Sequence, residues 1–108
     1  MNIDRNINQT GKGKYILINN RKIPGNLRTP QELAAAILAN PECVEFGLVR
    51  DPNEFFVIKL KDRYAGRALS AYANAVDLDP EGDREYAIAV TEIANRSGLF
   101  HPQCKRPS

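Results

Sequence analysis

Four polar side chains recur along one stretch of the chain at a spacing that suits anion binding. Arg63, Arg67, Ser70 and Asn74 stand at i, i+4, i+7 and i+11. On an α-helix that spacing puts them on one face. Lys59 and Lys61 come just before them. Guanidinium groups grip phosphate oxygens through charge-assisted hydrogen bonds. Basic residues at a helix N-terminus oppose the macrodipole and give up some stability, while backbone amides at that end favour an anion. Arg63, Arg67 and those amides therefore form a candidate phosphate site, with Asn74 placed to read a base or ribose. Asp62 works against the amide part, because its carboxylate can cap the same N–H groups. The plainer reading of the stripe is a solvated helix face.

Other chemistry-bearing residues are sparse. The one histidine, His101, lies between Phe100 and Pro102. A Ser–His–acid or Cys–His arrangement needs an imidazole held within hydrogen-bond reach of its nucleophile. The segment around His101 offers no rigid element to do this, so no catalytic residue is assigned. A tail docked by Phe100 and Pro102 is the expectation. Cys43, His101 and Cys104 could supply three zinc ligands, but no CxxC pair supports that reading. No metal and no cofactor is called for. Gly11-Lys12-Gly13-Lys14 has the glycines of a phosphate loop but precedes a strand instead of opening a helix. The acidic residues from Asp77 to Glu85 fall at a helix junction, where they complement a macrodipole.

The elements that must position these residues follow from period and turn chemistry. Residues 1–13 have no usable period and read as a flexible arm or a weak strand. Residues 14–19 are rich in aromatic and β-branched side chains and read as a strand. Asn19-Asn20 makes a turn, and residues 21–23 read as a short return strand stopped by Pro24-Gly25. Thr29-Pro30-Gln31-Glu32 is a capping box with proline at the first helical position. The helix it opens ends at Asn40-Pro41, with Leu33, Ala34, Ile37 and Leu38 on one face. Residues 44–49 and 55–60 read as a β-hairpin turned through Arg50-Asp51-Pro52-Asn53. Asp62 caps a helix running to about Asp77, whose apolar stripe is Tyr64 or Ala65, Ala68, Leu69, Tyr72 and Val76. A second helix starts between Asp79 and Asp83 and runs to about Ser97, with Gly98 as its stop. Its stripe is Tyr86, Val90, Ile93 and Ala94. The class is α+β: an antiparallel sheet with a short helix, followed by a C-terminal helical hairpin. One domain over residues 14–98 and a tail over 99–108 are expected.

Composition bounds the function. The 108 residues are 43% hydrophobic and 26% charged, ordinary for a folded domain. No apolar run approaches about 18 residues, so no membrane span is expected. The N-terminus lacks a signal-peptide core, and the two cysteines lie far apart, so a reduced cytoplasmic setting is expected. The net charge of +2 does not by itself call for nucleic acid. Its distribution is uneven. Residues 1–29 hold six Lys/Arg and one Asp, and residues 77–92 hold six Asp/Glu and one Arg. This asymmetry fits a charged partner, head-to-tail self-association or two solvated surfaces. Residues 68–75 (ALSAYANA) contain five small side chains, and with few large apolar residues in either helix, homo-oligomerisation is expected.

The C-terminal half carries a resemblance. EFFVIKLKDRYAGRALSAYANAV, the following REYAIAVTEIANRSG and the tail HPQCKRP are similar to small phage-encoded anti-defence proteins with an N-terminal sheet and a helical hairpin. Among these the chain most resembles the anti-Thoeris sponge family, over about residues 44–98. The resemblance implies a non-enzymatic protein that sequesters a cyclic-ADP-ribose-type immune signal in the host cytoplasm, and oligomers in some members. It also implies a pocket lined by an aromatic, an Asn and arginines. Here Arg63, Tyr64, Arg67 and Asn74 are the matching positions, with Arg84 and Arg96 as alternatives for a second-helix arginine. The competing reading is a phage protein that inhibits a host defence protein by direct binding, in the manner of an anti-CRISPR. Nucleic-acid binding through residues 5–28 is a third.

Overall fold

The computed structural model describes residues 7–8, 13–26 and 29–106. The class is α+β, with a two-stranded antiparallel sheet and three α-helices. Contacts divide the chain into two compact units, Met1–Val57 and Ile58–Ser108, where the sequence suggests one domain over 14–98. Most of the expected arm, residues 1–13, lies outside the described residues. Within it Asn8 is buried: its carboxamide donates to the Phe46 carbonyl and accepts from the Gly13 N–H at 2.8 Å.

The first unit holds the sheet and one helix. Strand β1, Leu17–Ile18, pairs with β2, Val44–Glu45, in the register Leu17–Glu45 and Ile18–Val44. The strand expected over 14–19 is thus two residues long, and its partner lies across the intervening helix. The return strand over 21–23 does not form. The Asn19 side chain accepts the Arg21 N–H at 3.1 Å and winds Asn20–Lys22 into a 3-10 turn, an Asx turn competing successfully with extended backbone. Helix α1, Pro30–Ala39, opens on the expected cap. The Thr29 hydroxyl accepts the Glu32 N–H at 3.1 Å and donates to the Glu32 carboxylate at 2.9 Å. Leu33 and Ile37 are half-buried as expected, whereas Ala34 and Leu38 face out, Leu38 with 85% of its surface exposed. Pro41 stops the helix, and the Asn40 carboxamide returns to the Ala36 carbonyl at 3.0 Å.

The hairpin expected over 44–60 is not formed. Gly47 takes a positive φ of 63° and Arg50 one of 69°, so the extended run breaks after Glu45. The turn itself is present: Asp51 N–H bonds the Leu48 carbonyl and Glu54 N–H the Asp51 carbonyl, both at 2.9 Å. Residues 55–60 carry no strand, and β2 pairs with β1.

The second unit is the helical hairpin. Helix α2 spans Ala65–Leu78 and α3 spans Arg84–Ala94. Asp79 and Asp83 shape the link, accepting the Glu81 and Tyr86 N–H groups at 3.0 and 3.2 Å. The buried seam is Ala65 and Ala73 on α2 against Ala87, Val90 and Ala94 on α3. Val90 is the largest of these, and burial stabilises by about 0.8 kcal/mol per CH₂, so the seam is thin. Ala68, Tyr72 and Tyr86, expected inside, are exposed. The two tyrosines flank the seam, ring to edge at 6.1 Å with hydroxyls 3.1 Å apart. α3 ends three residues before Ser97, because the Arg96 and Ser97 N–H groups turn to the Ile93 and Ala94 carbonyls, i→i−3 bonds at 3.1 Å, and the Ser97 hydroxyl donates to the Ile93 carbonyl. The tail belongs to this unit, but its rings do not dock it: Phe100 is 74% exposed and Pro102 is exposed. Its backbone does, through Arg63 N–H to Lys105 and Lys105 N–H to Lys61, both at 2.9 Å. Among the described residues no helix is long and apolar enough to cross a membrane.

Candidate functional site

Gly98 is the residue that builds the site. With φ at +59° it reverses the chain after α3, as a left-handed C-terminal glycine does. Its N–H bonds the Leu60 carbonyl at 2.8 Å. The reversal brings a short 3-10 turn, Gly98–Phe100, back along the start of α2. Gly66 faces this turn at ordinary van der Waals range. A Cβ there would stand 3.4 Å from the Ser97 carbonyl oxygen and 3.7 Å from that of Ala94.

Between these elements runs a cleft of about 350 Å³. One wall is Arg63, in the turn before α2, with Gly66, Arg67 and Ser70 on the helix. The other is the end of α3 and the turn beyond it, with Asn95, Ser97, Leu99 and Phe100 among its lining. The volume lies at the small end of the range for ligand pockets. Among the described residues neither guanidinium has an ion-pair partner. Leu99 and Phe100 give the cleft an apolar, largely exposed lip. Such a site can hold a small anion at one end and a flat or apolar group at the other.

Of the residues picked from sequence, the fold brings Arg63, Arg67 and Ser70 together along one wall. Tyr64 is exposed at the N-cap position of α2 and does not line the cleft. Asn74 is exposed one turn beyond Ser70 and is also outside it. Arg84 opens α3, about 16 Å along the axis from Asn95 at 1.5 Å per residue. Arg96 follows Asn95 but does not line the cleft. Three amides at and just before the start of α2 are already taken. Arg63 N–H is taken by Lys105, Tyr64 N–H by the Asp62 carboxylate at 2.8 Å, and Ala65 N–H by the Asp62 carbonyl at 3.0 Å. The Gly66 and Arg67 N–H groups have no hydrogen-bond acceptor among the described residues, so an anion here meets them as well as the two guanidiniums.

The sequence does not announce the opposite wall. Asn95, Ser97, Leu99 and Phe100 follow no period. The available signal is Gly98 as a helix stop, because an apolar residue after such a glycine commonly folds back onto the last turn. Among the described residues no group of three His, Cys, Asp or Glu side chains is placed to hold a metal ion. One titration in this unit is displaced. The hydrogen bond from Tyr72, the charge that Tyr72 carries when ionised, and burial raise the Tyr86 hydroxyl above its ordinary 10.0. Comparison with protein-family models, with curated proteins and with solved structures finds no match to this chain.

Proposed function

We propose that the chain is a binding protein for a small phosphate-bearing nucleotide and, following the resemblance of its C-terminal half, that it sequesters a cyclic-ADP-ribose-type immune signal without cleaving it. The observation that carries this reading is the pair of guanidiniums, Arg63 and Arg67, which line one cleft with Phe100 and have no ion-pair partner among the described residues. Arginines in this arrangement grip phosphate oxygens by charge-assisted, bidentate hydrogen bonds. The Phe100 ring offers a stacking surface to a base, worth roughly 1–3 kcal/mol where a base is fully stacked. Ser70 lines the same cleft and offers its hydroxyl to a ribose.

A ligand that binds only the folded chain raises its stability, by about 2.7 kcal/mol at a hundredfold excess over Kd. Cyclic ADP-ribose isomers are therefore expected to raise the melting temperature by about 10 °C. Arg67→Ala is expected to abolish the rise. An unchanged wild-type melting temperature across the isomers would sink the reading.

The exposed Tyr72–Tyr86 pair, beside the exposed Ala68, Ala71 and Ala75, favours a second reading. In it the hairpin flank binds protein, either a host defence protein or a second copy of the chain. A monomeric mass by light scattering, with no bacterial protein retained on the immobilised chain, would remove it.

A further inference from the structure

We infer that the two-stranded sheet carries a second ligand site, separate from the cleft on the hairpin, and that its ligand is a small zwitterion, an aliphatic α-amino acid. A hollow of about 460 Å³ opens over β1 and the turn that follows it, lined by Leu17, Ile18, Asn19, Asn20, Arg21 and Glu45. All of them belong to the first unit. The inference therefore goes beyond the nucleotide reading and does not depend on it.

The pleat decides what faces the hollow. Successive side chains of a strand point to opposite faces, and residues directly opposite in a ladder share one. Leu17 pairs with Glu45, so both project from the same face, and Asn19, two residues past Leu17, projects with them. The Asn19 Nδ2 accordingly donates to Glu45 Oε2 at 3.3 Å. The oxygen of the same carboxamide accepts the Arg21 N–H at 3.1 Å. That bond winds Asn20–Lys22 into its 3-10 turn and puts Arg21 at the rim of the hollow. One asparagine thus orients the carboxylate and shapes the turn that carries the guanidinium.

The two charges are left for a ligand. Among the described residues neither Glu45 nor Arg21 has an ion-pair partner, although both line the hollow. Glu45 is half-buried, and its Oε1 accepts no hydrogen bond among the described residues. A partly desolvated carboxylate with open acceptor capacity draws an ammonium group. The exposed Arg21 guanidinium takes a carboxylate. A ligand with one charge answers one of the two residues and is repelled by the other. A phosphate meets Arg21 but also the Glu45 carboxylate. A bare metal ion meets a single carboxylate, since no group of three His, Cys, Asp or Glu side chains is gathered among the described residues. An α-amino acid carries both charges on one carbon, and Leu17 beside them offers its side chain an apolar surface.

NMR titration of the full chain with L-leucine tests this, beside two probes that each lack one charge: isopentylamine, which is leucine without its carboxylate, and isocaproate, which is leucine without its ammonium. Leucine is expected to shift the amides of Leu17, Asn19, Arg21 and Glu45 saturably. Isopentylamine is expected to bind about fivefold more weakly, the loss of one exposed ion pair. Isocaproate is expected to bind about tenfold more weakly, because it leaves the half-buried Glu45 unanswered. In Glu45→Gln the affinities for leucine and isocaproate should converge, and in Arg21→Gln those for leucine and isopentylamine. Circular dichroism confirms that each variant is folded, and Arg67→Ala, in the other unit, should bind leucine as the wild type does. No saturable shift with leucine, a single-charge probe that binds as tightly as leucine, or a preference that survives both substitutions would overturn the inference. Each of these outcomes leaves the nucleotide reading standing, and silence toward the cyclic isomers leaves this site standing.

Discussion

Replacing Gly98 with alanine tests the construction of the cleft at its narrowest point. Two costs add there. The backbone sits at φ +59°, where an L side chain loses roughly 1–2 kcal/mol. The new Cβ would also lie 3.0 Å from the Arg63 carbonyl oxygen and 3.1 Å from the Gly66 nitrogen. Both are backbone atoms of the α2 start and cannot swing aside, and such overpacking costs roughly 1–3 kcal/mol. The sum is about 2–5 kcal/mol, a fall in melting temperature of about 8–20 °C for a chain of this size. Gly25 supplies the control. Its φ is +73°, yet nothing lies within 4 Å of a Cβ built there, so Gly25→Ala carries only the backbone cost of roughly 1–2 kcal/mol. Thermal unfolding followed by circular dichroism separates the two variants. A Gly98→Ala protein no less stable than Gly25→Ala would refute the close approach of the turn to α2, and with it the cleft's second wall.

Two further outcomes follow from local geometry. Thr29→Ala removes the cap of α1 and is expected to cost about 1 kcal/mol, a fall of about 4 °C. Thr29→Ser should restore most of it, and an unchanged melting temperature in the alanine variant would count against the cap. Tyr86 gives a pH dependence. Its hydroxyl pKa is raised in the fold by the bond to Tyr72. The bond's stabilisation is therefore fully present below pH 10.0 and is lost as pH rises through the raised value. Tyr86→Phe should be less stable than wild type at neutral pH and converge with it at strongly alkaline pH. A gap that stays constant with pH would contradict the coupling.

The helices were legible because their ends carry their own chemistry. Thr29 and Asp83 each mark a cap by side chain, whereas Gly98, expected as the stop of α3, lies three residues past its C-cap, Asn95. The strands were not legible to the same degree. The alternation in residues 55–60 states which side chains share a face but not whether a partner strand is available. Val44 and Glu45, the start of the expected partner strand, pair with Ile18 and Leu17. At residues 21–23 a single side-chain bond from Asn19 outweighed extended propensity. The site divides in the same way. Arg67 and Ser70 share a wall by helical spacing, whereas Arg63 joins them from the turn before α2, where its N–H bonds Lys105. Asn74 shares their stripe but lies past the end of the cleft, whose length is set by the turn after α3. Asn95 and Phe100 enter only through the reversal at Gly98, a tertiary event that no repeat in the sequence encodes. The apolar stripes were read too wide, since alanines make a seam narrow enough to leave Tyr72 and Tyr86 at its rim.

The most direct test of the central claim is titration of the full chain with cyclic ADP-ribose isomers, followed by mass spectrometry of what the denatured protein releases. The account predicts saturable binding of at least one isomer, its release chemically intact, and loss of binding in Arg67→Ala while the fold is retained. No binding by the wild type, binding that Arg67→Ala leaves unchanged, or recovery of a cleaved ligand would contradict it.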